Sequence, residues 1–247
     1  GGNDALFDMA GGATTYVFQP GDGGDQIQDA GGADRLDLSG IASGSIEVGN
    51  TGDGSTLVLD LGGGDRIDIV DGFLGAVETF VLADGQMDLF GLLDARLAGG
   101  VTVRGSGALT GGAGADTLVA TAGSTLRGGR GDDRMTGLAG GNTLVIGAGE
   151  GNDTLDSRGT GSVVQLGAGL SAADLRVVRT PGTNQLVLTL AFGQTVTVEN
   201  GALGGIAEWR FAGETLTHAQ LMARVPVDLT GTGGDDLLLG TDGANRL

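Results

Sequence analysis

The chain has 247 residues, with 53 glycines, 4% aromatic residues and no cysteine. Thirty-one acidic against 13 basic residues, every one of the latter an arginine, leave a net charge of −18; this disfavours nucleic acid and anionic membrane as partners and favours cations. The missing cysteines exclude disulfides and thiolate metal sites, and no run of about 18 apolar residues offers a bilayer span.

From the N-terminus, "GGNDALF" pairs a carboxylate with an aliphatic two residues on, Asp4 and Leu6. "GDGGDQIQD" and "AGGADRLDL" repeat the pair as Asp25/Ile27 and Asp34/Leu36, nine residues apart. These residues make up a first array, 1–38. A module at 39–98 follows, with short strands of alternating apolar residues such as Leu57, Leu59 and Leu61, then a short helix over "DLFGLLDARL". A second array, 99–162, holds "GGAGADTLV", the eight residues "ATAGSTLR", "GGRGDDRMT" and "GLAGGNTLV". Its polar positions are Asp116, Ser124 or Thr125, Asp133 and Asn142; an eleven-residue step then brings Asp153. A second module, 163–224, ends in "LTHAQLMARV", where Thr217 and Gln220 predict a capping box, with Leu216 and Leu221 placed for a hydrophobic staple. A third array starts at 225–247 with Asp236 and Asn245. The halves are duplicates. "TYVFQPGDGGDQIQD" (15–29) aligns with "TLVIGAGEGNDTLDS" (143–157) at an offset of 128, and "VETFVLADG" (77–85) with "IAEWRFAGE" (206–214) at 129. Phe80 and Trp209 occupy equivalent positions and read as core aromatics; the single histidine, His218, reads as a surface residue of the first helical turn.

One aliphatic in nine residues cannot make the stripe of a helix, which needs apolar positions every three or four. It suits a three-residue strand whose middle side chain points inward, joined to the next by a six-residue turn. Two such steps close one coil, so equivalent turns stack every eighteen residues. Glycines let the turn carbonyls point into the gap between stacked turns, and the Asp at the sixth position adds a carboxylate. Backbone and carboxylate oxygens together suit Ca²⁺ better than Mg²⁺, which demands tighter octahedral geometry. The fold class expected is therefore all-β: β-solenoid arrays alternating with small β-rich modules, each carrying one short helix and packing a small antiparallel sheet against the end of a roll. The metal-ligating candidates are Asp4, Asp25, Asp34, Asp116, Asp133, Asn142, Asp153, Asp236 and Asn245, with Gly111, Gly112, Gly114, Gly128, Gly129 and Gly131 supplying carbonyl oxygens. Asp116, Asp133 and Asp153 should share one side, with Asp133 serving two gaps. The Ser124 and Asn142 turns lack a carboxylate and predict a weak site or none. Asp25 should stack over Asp4, and Asp34 stands alone unless the next module supplies oxygens. Three to four occupied sites are expected.

These residues, "GGAGADTLV" above all, resemble the RTX family, the haemolysin-type calcium-binding repeat of secreted bacterial proteins. The intervening segments resemble the haemolysin-type calcium-binding protein related module. The resemblance implies a parallel β-roll with Ca²⁺ held between turns two repeats apart, folding after export to the extracellular space or the cell surface. The expected function is a non-enzymatic, calcium-binding structural or adhesive segment of a large secreted or surface protein that continues on both sides. The alternative is an accessory module of a secreted protease, lipase or polysaccharide epimerase whose catalytic domain lies elsewhere. Calcium ions and neighbouring repeats of the same chain or fibre are the expected partners, with a surface glycan or protein ligand left open, and neither nucleic acid nor membrane insertion.

Overall fold

The computed structural model describes residues 1–51, 54–97 and 99–225; the third array from residue 226 on, with Asp236 and Asn245, lies outside the described residues. The first half runs through β1 (Ala5–Asp8), β2 (Thr15–Val17), β3 (Gly24–Asp29), β4 (Arg35–Leu38), β5 (Glu47–Asn50), β6 (Leu57–Gly62), β7 (Asp65–Ile69), β8 (Thr79–Leu82), β9 (Gly85–Asp88) and helix α1 (Leu89–Arg96). The second half continues with β10 (Thr102–Gly105), β11 (Ala108–Thr110), β12 (Thr117–Ala120), β13 (Thr125–Arg127), β14 (Arg134–Gly137), β15 (Thr143–Ile146), β16 (Asp153–Ser157) and β17 (Ser162–Leu166). It closes with β18 (Arg176–Arg179), β19 (Leu186–Thr189), β20 (Thr195–Glu199), β21 (Ile206–Arg210), β22 (Thr215–Thr217) and helix α2 (His218–Met222).

The protein is all-β, a parallel β-roll in each half. Consecutive short strands alternate between two sheets, so that β12, β14 and β16 pair in one and β13, β15 and β17 in the other. Register brings the inward aliphatics into columns: Val103, Leu118, Met135 and Leu155 in one sheet, Leu109, Leu126, Leu144 and Val164 in the other. All are buried. Each coil advances 17 residues from Leu118 to Met135 and 20 from Met135 to Leu155, bracketing the expected eighteen. Phe80 continues the column above Leu36, and Trp209 the column above Val164. Both are core residues.

The modules do not form separate sheets packed on the roll ends. β7 pairs parallel with β3 and β8 with β4; β20 pairs parallel with β16 and β21 with β17. Antiparallel strands then extend the same four sheets, through β6 and β5, β9, β19 and β18, and β22. The boundaries drawn at 38/39 and 162/163 therefore fall inside continuous sheets. The physical reason is the edge of the last coil, a row of unpaired N–H and C=O groups that another strand satisfies and a packed face does not. Leu57, Leu59 and Leu61 are buried in the one continuous core.

Both helices start as the residues dictate. The Asp88 carboxylate accepts from the Gly91 amide at 2.7 Å, and Thr217 with Gln220 closes a capping box ahead of the buried Leu221. Helix α1 also joins the two rolls. The Arg127 guanidinium lies 3.3 Å above the Phe90 ring, Arg130 pairs with Asp94 at 2.6 Å, and the Leu97 carbonyl accepts from Ala113 N.

Candidate cation-binding turns

In the second roll the sixth-position side chains stand in two columns, and each rung is built the same way. Its side-chain oxygen accepts a hydrogen bond from the backbone N–H at the equivalent position one coil earlier. On one side Val101 N donates to Asp116 Oδ1 at 2.7 Å, Asp116 N to Asp133 Oδ1 at 2.8 Å, and Asp133 N to Asp153 Oδ1 at 3.1 Å. On the other side Gly107 N donates to Ser124 Oγ, Ser124 N to Asn142 Oδ1 and Asn142 N to Ser162 Oγ, at 3.2, 2.8 and 3.2 Å. In the first roll Asp4 N donates to Asp25 Oδ1 at 2.9 Å, Thr14 N to Asp34 Oδ1 at 2.8 Å, and Asp34 N to Glu78 Oε2 at 2.6 Å.

Sequence reading missed three members of these columns and their caps. Glu78 is the oxygen the first module supplies above Asp34. Ser162 ends the neutral column. Asp65 closes the turn at 21–24 by accepting from Gly21 N and Gly23 N at 2.7 and 3.1 Å. The signal for Asp65 was the internal duplication: 129 residues on, Gln194 accepts from Gly149 N and donates to the Gly147 carbonyl, both at 2.9 Å. Asn142 keeps its oxygen for the ladder and gives its amide N–H to the Ala139 carbonyl at 2.7 Å.

The glycines divide into two roles. The carbonyl oxygens of Gly112 and Gly114 occupy the space that a Cβ on Gly129 and Gly131 would fill, the Gly131 oxygen does the same at Gly151, and the Gly128 oxygen faces Gly111. Those four carbonyls line the gaps between stacked turns. Gly111 and Gly129 also contribute an absent side chain, Gly111 leaving room for the Asp116 carboxylate. Gly129 and Gly131 hold φ of +100° and +118°, a backbone conformation that only glycine adopts freely.

Burial makes this column electrostatically demanding. Asp116, Asp133 and Asp153 are at most 3% exposed. Desolvation, added to by the charges of Asp153, Asp116 and Glu150, raises the Asp133 carboxyl to about 8. Asp153 rises to about 7, chiefly by burial and then by Glu150 and Asp132. Asp116 is raised by burial against the opposing pull of the Gly112 and Val101 amides, and Asp34 is raised by burial and the charges of Asp29 and Asp8. Both oxygens of Asp116 are satisfied, Oδ2 by Gly112 N at 2.6 Å. Asp133 Oδ2 and Asp34 Oδ2 are buried and have no partner. Among the described residues no three acids or histidines are spaced to hold a metal by side chains alone. The donor set is mixed instead: an unpartnered carboxylate oxygen, neighbouring carboxylates and glycine carbonyls with a lone pair to spare, which is what a hard cation takes. The residues fit Ca²⁺.

No protein-family model matches the chain, and no curated protein matches it by sequence. Among solved structures it is similar to the extracellular lipase LipA from Serratia marcescens, at 20% identity and a TM-score of 0.32. The similarity covers 87% of this chain and 39% of that one, so the chain spans about two fifths of the lipase's length.

Proposed function

We propose that the chain is a calcium-binding structural segment of a secreted or cell-surface bacterial protein of the RTX type, which works by holding shape rather than by catalysis. The observation that carries this reading is the buried column Asp116–Asp133–Asp153, in which Asp133 Oδ2 finds no hydrogen-bond donor. Gly112 and Gly114 below it and Gly131 above line the same gaps with carbonyl oxygen. Asp133, its neighbouring carboxylates and the glycine carbonyls would hold Ca²⁺ there as oxygen ligands, and the ion would supply positive charge where water is excluded. The rest of the chain points the same way: a net charge of −18 opposes compaction until counter-ions neutralise it. Extracellular modules hold Ca²⁺ in roughly the 10⁻⁴–10⁻³ M range, so the segment stays open in low-calcium cytosol and closes after export. Its partners are then calcium and neighbouring repeats of the parent chain or fibre, in an adhesive or surface-layer role. Circular dichroism and thermal melting of the full chain test the reading. Calcium should raise β-content and Tm; identical spectra and Tm in excess chelator and in millimolar Ca²⁺ would sink it.

A further inference from the structure

A short helical turn, Gly72–Leu74, follows β7, and another, Gly201–Leu203, follows β20. They are duplicates: "DGFLG" (71–75) stands 129 residues before "NGALG" (200–204). Their backbones agree closely. Asp71 and Asn200 hold φ of 56° and 54°, and Gly75 and Gly204 hold 86° and 79°. Phe73 N donates to the Ser55 carbonyl at 3.0 Å, as Ala202 N donates to the Asn184 carbonyl at 2.9 Å. What differs is the cover. In the first half this face carries the first coil of the next roll. The Gly54 carbonyl accepts from Arg104 N of β10 at 2.9 Å. Leu74 lies so close to the end of β10 that a Cβ on Gly105 would stand 2.7 Å from Leu74 Cδ1. Gly54 is buried, and Leu74 is half-buried against the core. Their counterparts at the same offset, Thr183 and Leu203, are exposed, Leu203 to 68%. Beside Leu203 a groove of about 340 Å³ runs between this turn and residues 157–160. A single exposed leucine is ordinary; this one is the bare copy of a covered one.

The chain also repeats what covers Leu74. "VDLTGTG" (227–233) matches "VTVRGSG" (101–107) at each apolar and glycine position, with Val227 for Val101, Leu229 for Val103, Gly231 for Gly105 and Gly233 for Gly107. Gly231 matters most, because the Leu74 contact leaves no room for a side chain at Gly105. We propose that Leu203, Thr183 and the groove beside them are the seat for residues 227–233, repeating the joint that Leu74 and Gly54 make with β10. The occupant lies outside the described residues; the seat lies within them. The Thr183 carbonyl accepts from Arg179 Nε at 2.8 Å and keeps a second lone pair for a backbone N–H. Nothing in this joint needs a cation, so it stands apart from the calcium reading. Each roll would then rest on the module before it through one recurring face, as stacked repeats contact their neighbours.

Hydrogen exchange of the full chain tests the seat. Amides of 227–233 should be protected, and Leu203→Asp, at a position exposed in the described fold, should speed their exchange about tenfold or more. The same substitution should leave 101–107 unchanged. Unprotected amides at 227–233, or protection that Leu203→Asp does not weaken, overturns the proposal. Disulfide trapping identifies the occupant, since the chain has no cysteine of its own. Under mild oxidation Leu203→Cys/Gly231→Cys should close within one chain, as Leu74→Cys/Gly105→Cys should in the first joint, whereas Val17→Cys/Gly231→Cys should stay reduced. A disulfide of the Leu203→Cys variant formed only between two chains would put a second copy on this face and overturn the proposal. If calcium leaves Tm unchanged while these results hold, the joint stands and the calcium reading fails.

Discussion

Asp133 gives its Oδ1 to the Asp116 amide and leaves Oδ2 buried without a partner, so substitutions there separate a structural role from an electrostatic one. Asp133→Asn keeps an acceptor for the Asp116 N–H and removes the charge. In chelator it should melt at or above the temperature of the parent chain, and in calcium it should show weaker binding. Asp133→Ala strands the Asp116 N–H in a buried position, which costs about 1–3 kcal/mol. Urea unfolding of both variants in chelator should therefore rank alanine well below asparagine; equal stabilities would mean that the rung carries no weight. The sixth-position acids were legible in the sequence because their spacing to the inward aliphatic is constant. Glu78 and Ser162 were not, since a rung needs only an acceptor and most polar residue types provide one.

At the scale of one turn, glycine serves the gap as well as the backbone. Gly131 and Gly149 both hold positive φ, at +118° and +76°. A Cβ on Gly149 would meet nothing within 4 Å, whereas one on Gly131 would run into the Gly114 carbonyl. Gly149→Ala should then cost about 1 kcal/mol of backbone strain and leave calcium binding unchanged. Gly131→Ala should cost more and weaken calcium binding as well, because it pushes apart the turns that line the site. Differential scanning calorimetry with and without Ca²⁺ checks both; matching losses for the two variants would contradict the close approach. Continuity of the sheets into the modules was not legible at this scale. The partner of β16 is β20, some forty residues on, and alternating apolar residues look the same in a strand that extends a sheet and in one that packs across it.

For the whole molecule, the buried acids turn pH into a test. Asp133 and Asp153 titrate near 8 and 7 in the calcium-free fold, against about 3.9 in an unfolded chain. The folded state therefore binds more protons than the unfolded state between those limits, so stability falls as pH rises. In chelator the chain should be most stable near pH 4 and lose stability steadily toward pH 8. Calcium should flatten or reverse that slope, because it favours the ionised carboxylates that the bare fold resists. Denaturant midpoints across this range, with and without Ca²⁺, decide it; a calcium-free midpoint that rises with pH would show that these carboxylates are not desolvated. The all-β class and the inward columns were readable from nine-residue spacing, since a parallel roll repeats the same contact in every coil, and the duplication from the 128-residue offset.

The ladder of rungs has a consequence for how such a chain can change over time. Asp, Asn, Ser and Glu all serve as rungs here, each accepting from the same kind of backbone N–H. A rung can thus swap a charged acceptor for a neutral one without dropping the hydrogen bond that supports the coil below. Ion demand is written letter by letter onto a scaffold indifferent to it, so a lineage can retune its calcium threshold one codon at a time while its architecture stays put.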